Sequence, residues 1–170
     1  MYKKEESQEL VKKFFCQIKR NEVFFPERDL ERKIKLIIES NLKVFEKSKV
    51  MLNSGDFYPR NFIPYRNKIV LVDWESALVE PLEGLAAYLW MLMFGNPRWQ
   101  KKLIKMVREN FGINYEVFQL MLLTKAFDET YLWKEIDAKN DSLKTAREKM
   151  ISHVYLALTA EGIRNILTEN

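Results

Sequence analysis

The feature that most constrains this chain is an interruption of helical periodicity near its middle. On both sides of it, apolar residues recur every three or four positions, the spacing that places them on one face of a helix. Residues 50–73 differ, because a loop rich in Asn, Ser, Gly and Asp is followed by two short apolar runs, 62–65 and 69–72, around a polar turn at 66–68. This pattern predicts a β-hairpin inside a mostly helical α+β domain that spans the whole chain.

Residues that commonly begin or end helices delimit the predicted helices. The segment 82–94 is apolar on nearly all sides, so we expect it to be the central buried helix. The last helix is expected to run without interruption from Asp141 through Ile166. We expect helices to begin at five residues: Ser7, Pro26, Pro97, Asn114 and Asp141. Gly95 and Gly112 are expected to end two of the helices. On the helix that begins at Pro97, the residues expected to face the core are Trp99, Leu103, Met106 and Val107.

Cysteine and histidine are almost absent, which excludes several kinds of site. Cys16 and His153 are single examples of their types, so the chain has no disulfide framework, no multi-cysteine zinc site and no basis for a Ser-His-Asp triad. Cys16 is expected to fill the core, and His153 is expected to be a partly buried packing residue on the last helix. Any catalysis therefore has to use carboxylates, amides, lysines or arginines.

Charge and hydropathy argue against nucleic acid and membrane as partners. The chain has 28 basic and 24 acidic residues, a net charge of +4, and its basic residues are dispersed along the helices. It has no uncharged apolar run of about 18 residues, and its charged first residues do not resemble a signal peptide. We therefore expect a cytoplasmic location.

Three oxygen-bearing side chains flank the predicted hairpin. With Asn67 at the centre of the turn, Asn61 would lie opposite Asp73, and directly opposed Cβ atoms are about 4.5–5.5 Å apart. Because Mg²⁺ lies about 2.1 Å from each oxygen ligand, these two residues could share one ion. Asp56, on the adjoining loop, would remain free to accept a substrate proton. Phosphoryl transfer requires this combination of a metal site and a carboxylate.

The same residues carry a family resemblance. The segment GDFYPRNFI at 55–63, followed by VLVDWE at 70–75, resembles the catalytic segment of the aminoglycoside phosphotransferase and choline kinase-like family. The pattern of that family is His-Gly-Asp-x-His-x-x-Asn, followed by an apolar strand that ends in Asp-Trp-Glu. The resemblance implies the C-terminal lobe of a protein-kinase-like fold and ATP- and Mg²⁺-dependent transfer of a γ-phosphate to a hydroxyl of a small substrate. It also implies that Asp56 is catalytic and that Asn61 and Asp73 hold Mg²⁺ against the ATP phosphates.

The chain departs from that family at several positions. Ser54 and Tyr58 stand where the family has histidines, and Gly84 stands where it usually has Asp before Leu-Ala. The 55 residues before Asp56 indicate two helices, without a Gly-x-Gly-x-x-Gly loop or a phosphate-gripping strand lysine. We therefore expect residues 1–170 to form a single kinase-like C-terminal lobe without the N-terminal nucleotide-binding lobe, and to hold nucleotide poorly when alone.

Other interpretations of these residues stay open at this point. Asp and Asn are common in turns, because they bond to their own backbone. The chain could also be a non-catalytic module whose open face binds a protein partner or a second copy. A third alternative is a metal-dependent nuclease with Asp56, Asp73 and Glu75 as its carboxylates. Four acids are expected on a solvated helix surface, with recognition of a cationic substrate as the alternative: Asp128, Glu129, Asp137 and Asp141. The residues do not identify the substrate.

Overall fold

The computed structural model describes Cys16, residues 30–135 and residues 141–168. The helix starts predicted at Ser7 and Pro26 lie outside these residues, and Cys16 is exposed rather than in the core. The predicted α+β class with mostly helical content is confirmed. The elements are α1 (Leu30–Phe45), β1 (Val50–Asn53), β2 (Phe62–Tyr65), β3 (Lys68–Leu71), β4 (Leu78–Pro81), α2 (Leu82–Leu92), α3 (Pro97–Phe111), α4 (Tyr115–Glu135), α5 (Asp141–Ala157) and α6 (Ala160–Thr168).

Helix α4 is the centre of the helical core. It contacts α1, α2, α5 and α6, whereas the segment expected to be central forms α2, which ends at Leu92 and packs against α4. Phe118, Leu122 and Phe127 of α4 have no exposed surface. The prediction of a central helix at 82–94 was therefore wrong in position, because the pairing of distant segments decides which of two apolar helices lies in the middle.

The predicted helix boundaries are largely confirmed. The Asn96 side chain accepts a hydrogen bond from the backbone of Trp99, and Pro97 occupies the first turn of α3. Gly112, with a φ of 75°, follows α3 in the left-handed region that favours glycine. The Asn114 side chain caps α4 by accepting the Val117 N–H at 3.1 Å.

Two predictions about the helices were wrong. Trp99 and Met106 are 52% and 50% exposed, although Leu103 and Val107 of the same helix are buried as predicted. The inner face of α3 is therefore narrower than its apolar content indicates. The final helix is also interrupted, since α5 ends at Ala157 and α6 begins at Ala160.

The strands form two antiparallel pairs, β1 with β4 and β2 with β3. The β2–β3 hairpin was predicted, but its turn contains two residues, Arg66 and Asn67, so that Tyr65 lies opposite Lys68. Strand β4 was not predicted, because four residues that include Glu80 and Pro81 do not form an apolar alternation. Within the described residues, no helix is long and apolar enough to cross a membrane.

Candidate active site

The two predicted metal ligands lie at the base of the hairpin, in a register one residue different from the prediction. Val72 donates its backbone N–H to the Asn61 carbonyl at 2.9 Å, so Asn61 lies opposite Val72 and not opposite Asp73. The physical reason is the two-residue turn, which shifts every pair by one position. Asp73 has a φ of 63°, and the regular alternation of strand faces therefore ends at this residue.

Asn61 is the most firmly held of the three predicted site residues. It ends a short 3₁₀ turn (Pro59–Asn61), is 4% exposed, and donates its side-chain amide to the Asp56 carbonyl at 3.1 Å. This bond uses the NH₂ end of the amide. The amide oxygen accepts no hydrogen bond from any described residue and retains its capacity to bind a cation.

The Asp56 carboxylate has two long contacts within its own loop. One oxygen accepts the backbone N–H of Tyr58 at 3.4 Å, and the other lies 3.5 Å from the Arg60 guanidinium. The Asp56 side chain is 19% exposed and that of Arg60 is 74% exposed. Because both contacts are at the outer limit for a hydrogen bond, the carboxylate is accessible and only loosely engaged.

Asp73 and Glu75 are exposed on the segment after β3. Between them, Trp74 donates its indole N–H to the Leu71 carbonyl at 2.9 Å. Within residues 30–135 and 141–168, and counting Cys16, no three His, Cys, Asp or Glu side chains form a group that could hold a metal ion. The nuclease alternative, which needs Asp56, Asp73 and Glu75 together, is therefore not supported.

The donor set near the hairpin base fits magnesium better than a softer metal. The Asn61 amide oxygen and the Asp73 carboxylate are hard ligands. Mg²⁺ usually takes one or two such groups from a protein and completes its shell with water and phosphate oxygens.

A buried polar group that the sequence analysis missed lies under this loop. Glu80 is 2% exposed, and its carboxylate is 2.7 Å from the ammonium group of Lys125 in α4. Asn53 donates its side-chain amide to the other Glu80 oxygen and accepts the Gly55 N–H at 2.6 Å. The sequence contained a signal, because Glu80 is the one charged residue in the segment 76–82 and Lys125 is the one charged residue in the segment 117–127.

The space for Glu80 is made by Gly84. A Cβ at position 84 would lie 2.8 Å from the Glu80 carboxylate and 2.7 Å from the Met121 methyl group. Any larger side chain would displace one of these groups, and an acidic one would also repel Glu80. The glycine at position 84 therefore leaves the room that the buried Glu80 carboxylate occupies.

Tyr58 of the same loop is half-buried, and the Arg60 guanidinium lies 5.3 Å from the centroid of its ring. Its phenol lies close enough to that of Tyr88 in α2 for the two groups to interact electrostatically. Burial, followed by the negative charge of Glu129, raises the pKa of both phenols above their ordinary value. Glu129 is 6% exposed, so the prediction that it lies on a solvated surface was wrong.

The remaining two unusual polar residues are buried. Ser54 has no exposed surface, and its hydroxyl has no hydrogen-bond partner among the described residues. His153 is 6% exposed and packs with its ring centroid 4.9 Å from that of Trp90, in agreement with its predicted packing role. Burial, with a smaller contribution from Lys149, lowers the His153 pKa to about 4, so the imidazole is neutral near pH 7.

Comparison with known proteins does not extend this description. No protein-family model, curated protein or solved structure matches the chain. A function for it has to be argued from the side chains around the hairpin and their chemistry.

Proposed function

We propose that this chain is a phosphotransferase lobe of the aminoglycoside phosphotransferase and choline kinase-like type. It would bind ATP with Mg²⁺ and transfer the γ-phosphate to a hydroxyl of a small molecule. The observation that carries the proposal is the arrangement of Asn61, which is buried at the hairpin base, bonded through its NH₂ to the Asp56 backbone, and left with an unengaged amide oxygen. In phosphoryl transfer by kinases, an asparagine that follows the catalytic aspartate holds metal in this way.

Each residue has a role that follows from its position. Asn61 and Asp73 would hold the metal, which when bound neutralises charge on the phosphate oxygens. Asp56 would orient the substrate hydroxyl and accept its proton, since its carboxylate is partly exposed and only weakly bonded. Arg60, beside Asp56, adds positive charge where a phosphate would approach.

The chain supplies only part of what a kinase-like enzyme uses. Its five glycines do not form a Gly-x-Gly-x-x-Gly loop, so backbone contacts of that kind to the phosphates are not provided by these residues. We therefore expect nucleotide binding in the millimolar range and transfer that is slow or absent when the chain is alone. Binding of metal and nucleotide, rather than turnover, is the appropriate first measurement.

Isothermal titration with Mg²⁺-ATP tests the proposal. We expect the wild-type chain to bind, and Asp73→Asn to weaken binding about tenfold, because one ligand loses its charge. Glu109→Gln is the matched control, because Glu109 is an exposed carboxylate of α3. Manganese should broaden the amide signals of residues 60–62 and 72–74 selectively. Absence of both heat and broadening at millimolar ligand would contradict the proposal.

A second candidate is a non-catalytic module that binds a protein or a second copy of itself. Several large apolar side chains of the β elements are open to solvent, including Ile69 at 71%, Leu52 at 60% and Tyr65 at 57%. Exposed apolar groups concentrated in one region commonly mark an interaction surface. This observation favours association through the strands and does not require a metal.

Sedimentation analysis discriminates the self-association form of this candidate. If the strands associate, the wild type should be dimeric and Ile69→Lys should be monomeric. Leu36→Lys is the control, because Leu36 is 59% exposed and belongs to a helix, α1, instead of a strand. A wild-type chain that remains monomeric at all concentrations would argue against pairing of two copies.

A further inference from the structure

Three polar side chains connect the helical core to the backbone immediately before Asp56. Lys125 of α4 contacts Glu80 at 2.7 Å, Glu80 accepts the side-chain amide of Asn53, and Asn53 accepts the Gly55 N–H at 2.6 Å. The first contact pairs a positive with a negative charge, and each of the other two pairs a hydrogen-bond donor with an acceptor. The series, which we term the Asn53–Glu80–Lys125 relay, therefore anchors the loop to the centre of the fold.

The pairing of β1 with β4 places this relay on the buried side. Asn53 lies opposite Leu78, and Glu80 follows two residues later, so the Asn53 and Glu80 side chains point to the same face of the pair. A diagonal neighbour of this kind is within reach of a long side chain. Both residues are almost fully buried, at 4% and 2% exposed.

Gly55 is the point at which the relay reaches the site. Its φ is 76°, and a Cβ there would collide with the Ser76 carbonyl, so the backbone lies directly against the segment after β3. Asp56 comes next in the chain, and its own carbonyl is held by the Asn61 side chain at 3.1 Å. The backbone around Asp56 is therefore bonded on both sides, by Asn53 before it and by Asn61 after it.

We propose that Asn53, Glu80 and Lys125 are positioning residues that hold Asp56 in its functional orientation. The catalytic meaning of this inference rests on the proposed function, but the physical effect on the loop does not. A buried ion pair is weak evidence of a stabilising role, because an apolar pair of similar size is often as stable. A fully satisfied buried polar network instead selects one arrangement of the groups that it bonds.

Amide hydrogen exchange at Gly55 tests the proposal, and it requires no nucleotide. Asn53→Leu keeps the side-chain volume similar, leaves the ion pair in place and removes the bond to Gly55. We expect exchange at Gly55 to become at least about tenfold faster, while the amides of Leu122 and Leu123 in α4 stay within about twofold of wild type. Asn110→Leu is the matched control, because Asn110 is exposed and donates its side-chain amide to the Met106 carbonyl of its own helix, α3.

A second variant separates positioning from stability. Glu80→Leu combined with Lys125→Met replaces the ion pair by apolar groups, which often leaves stability unchanged. If the ion pair only fills space in the core, the melting temperature and the exchange rate of the Gly55 amide should both stay as in wild type. The proposal predicts faster Gly55 exchange even where the melting temperature is kept. If Gly55 exchange stays within about twofold of wild type in Asn53→Leu, the proposal is overturned. If the wild-type chain does not bind Mg²⁺-ATP, the proposed function is refuted, but the exchange result at Gly55 still tests whether these residues position the loop.

Discussion

Substitution of Gly84 by alanine probes how tightly the buried glutamate is held. In most exposed helix positions this change stabilises a protein by about 1 kcal/mol, because alanine has the higher helix propensity. At position 84 the added Cβ would lie 2.8 Å from the Glu80 carboxylate and 2.7 Å from the Met121 methyl group. Met121 can move, because its methyl group is the end of a flexible side chain. Glu80 cannot move freely, because Lys125 and Asn53 bond it from two directions.

The expected magnitude follows from these two opposing effects. Overpacking a filled interior by one methyl group costs about 1–3 kcal/mol, and the gain in propensity offsets about 1 kcal/mol of it. Because the added Cβ would meet two groups at less than 3 Å, the upper part of that range applies, about 2–3 kcal/mol, and we expect Gly84→Ala to lower the free energy of unfolding by about 1–2 kcal/mol. The measurement is urea denaturation followed by circular dichroism at equilibrium, with the slope compared between variants to check for two-state behaviour.

Gly95→Ala is the matched control for this experiment. A Cβ at position 95 would meet no atom within 4 Å, and the residue is not in the left-handed region. The free energy of unfolding of Gly95→Ala should differ from that of wild type by less than about 0.5 kcal/mol. If Gly84→Ala proves as stable as wild type or more stable, then Glu80 is not fixed by its partners, and the reasoning about the buried ion pair is refuted.

Two further predictions concern pH and the core. His153 has a folded pKa of about 4 against an ordinary value of 6.5, so protonation favours the unfolded chain. The free energy of unfolding should therefore decrease as the pH falls from about 6.5 to 4, by about 2–3 kcal/mol in total. His153→Leu should lose this dependence. If the free energy of unfolding changes equally with pH in both proteins, the argument is contradicted. Leu103→Ala should lower the free energy of unfolding by about 2–4 kcal/mol, and Trp99→Ala on the same helix by less than about 1 kcal/mol, because Leu103 is buried and Trp99 is half exposed. Denaturation midpoints measure this difference. If they rank the two variants in the opposite order, α3 packs differently.

Part of the candidate site could be predicted from residues that are close in the chain. The loop at 53–56 and the hairpin were expected, because Asn, Gly and Asp mark loops and two apolar runs flank a polar turn. The opposition of Asn61 and Asp73 was wrong by one residue. That error arose because a turn of two residues and a turn of three are both compatible with the sequence Arg66-Asn67-Lys68, whereas they give different registers.

The relay beneath the loop could not be predicted in the same way. Asn53, Glu80 and Lys125 are separated by 27 and 45 positions, and none of them forms a local pattern with the others. Lys125 is the one charged residue in the run 117–127, which signals a buried partner but does not identify that partner. Only the tertiary structure brings the two charges together, at a distance of 2.7 Å.

The amino-acid sequence by itself determined the features that depend on near neighbours: the α+β class, most helix boundaries, the hairpin, and the oxygen ligands available around it. Caps, periodicity and turn residues act over a few positions, so their effect can be read without knowledge of the fold. The tertiary structure decided which helix is central, which carboxylates are buried and how the loop before Asp56 is held. These properties depend on contacts between distant segments, in which burial determines whether a charge must find a partner.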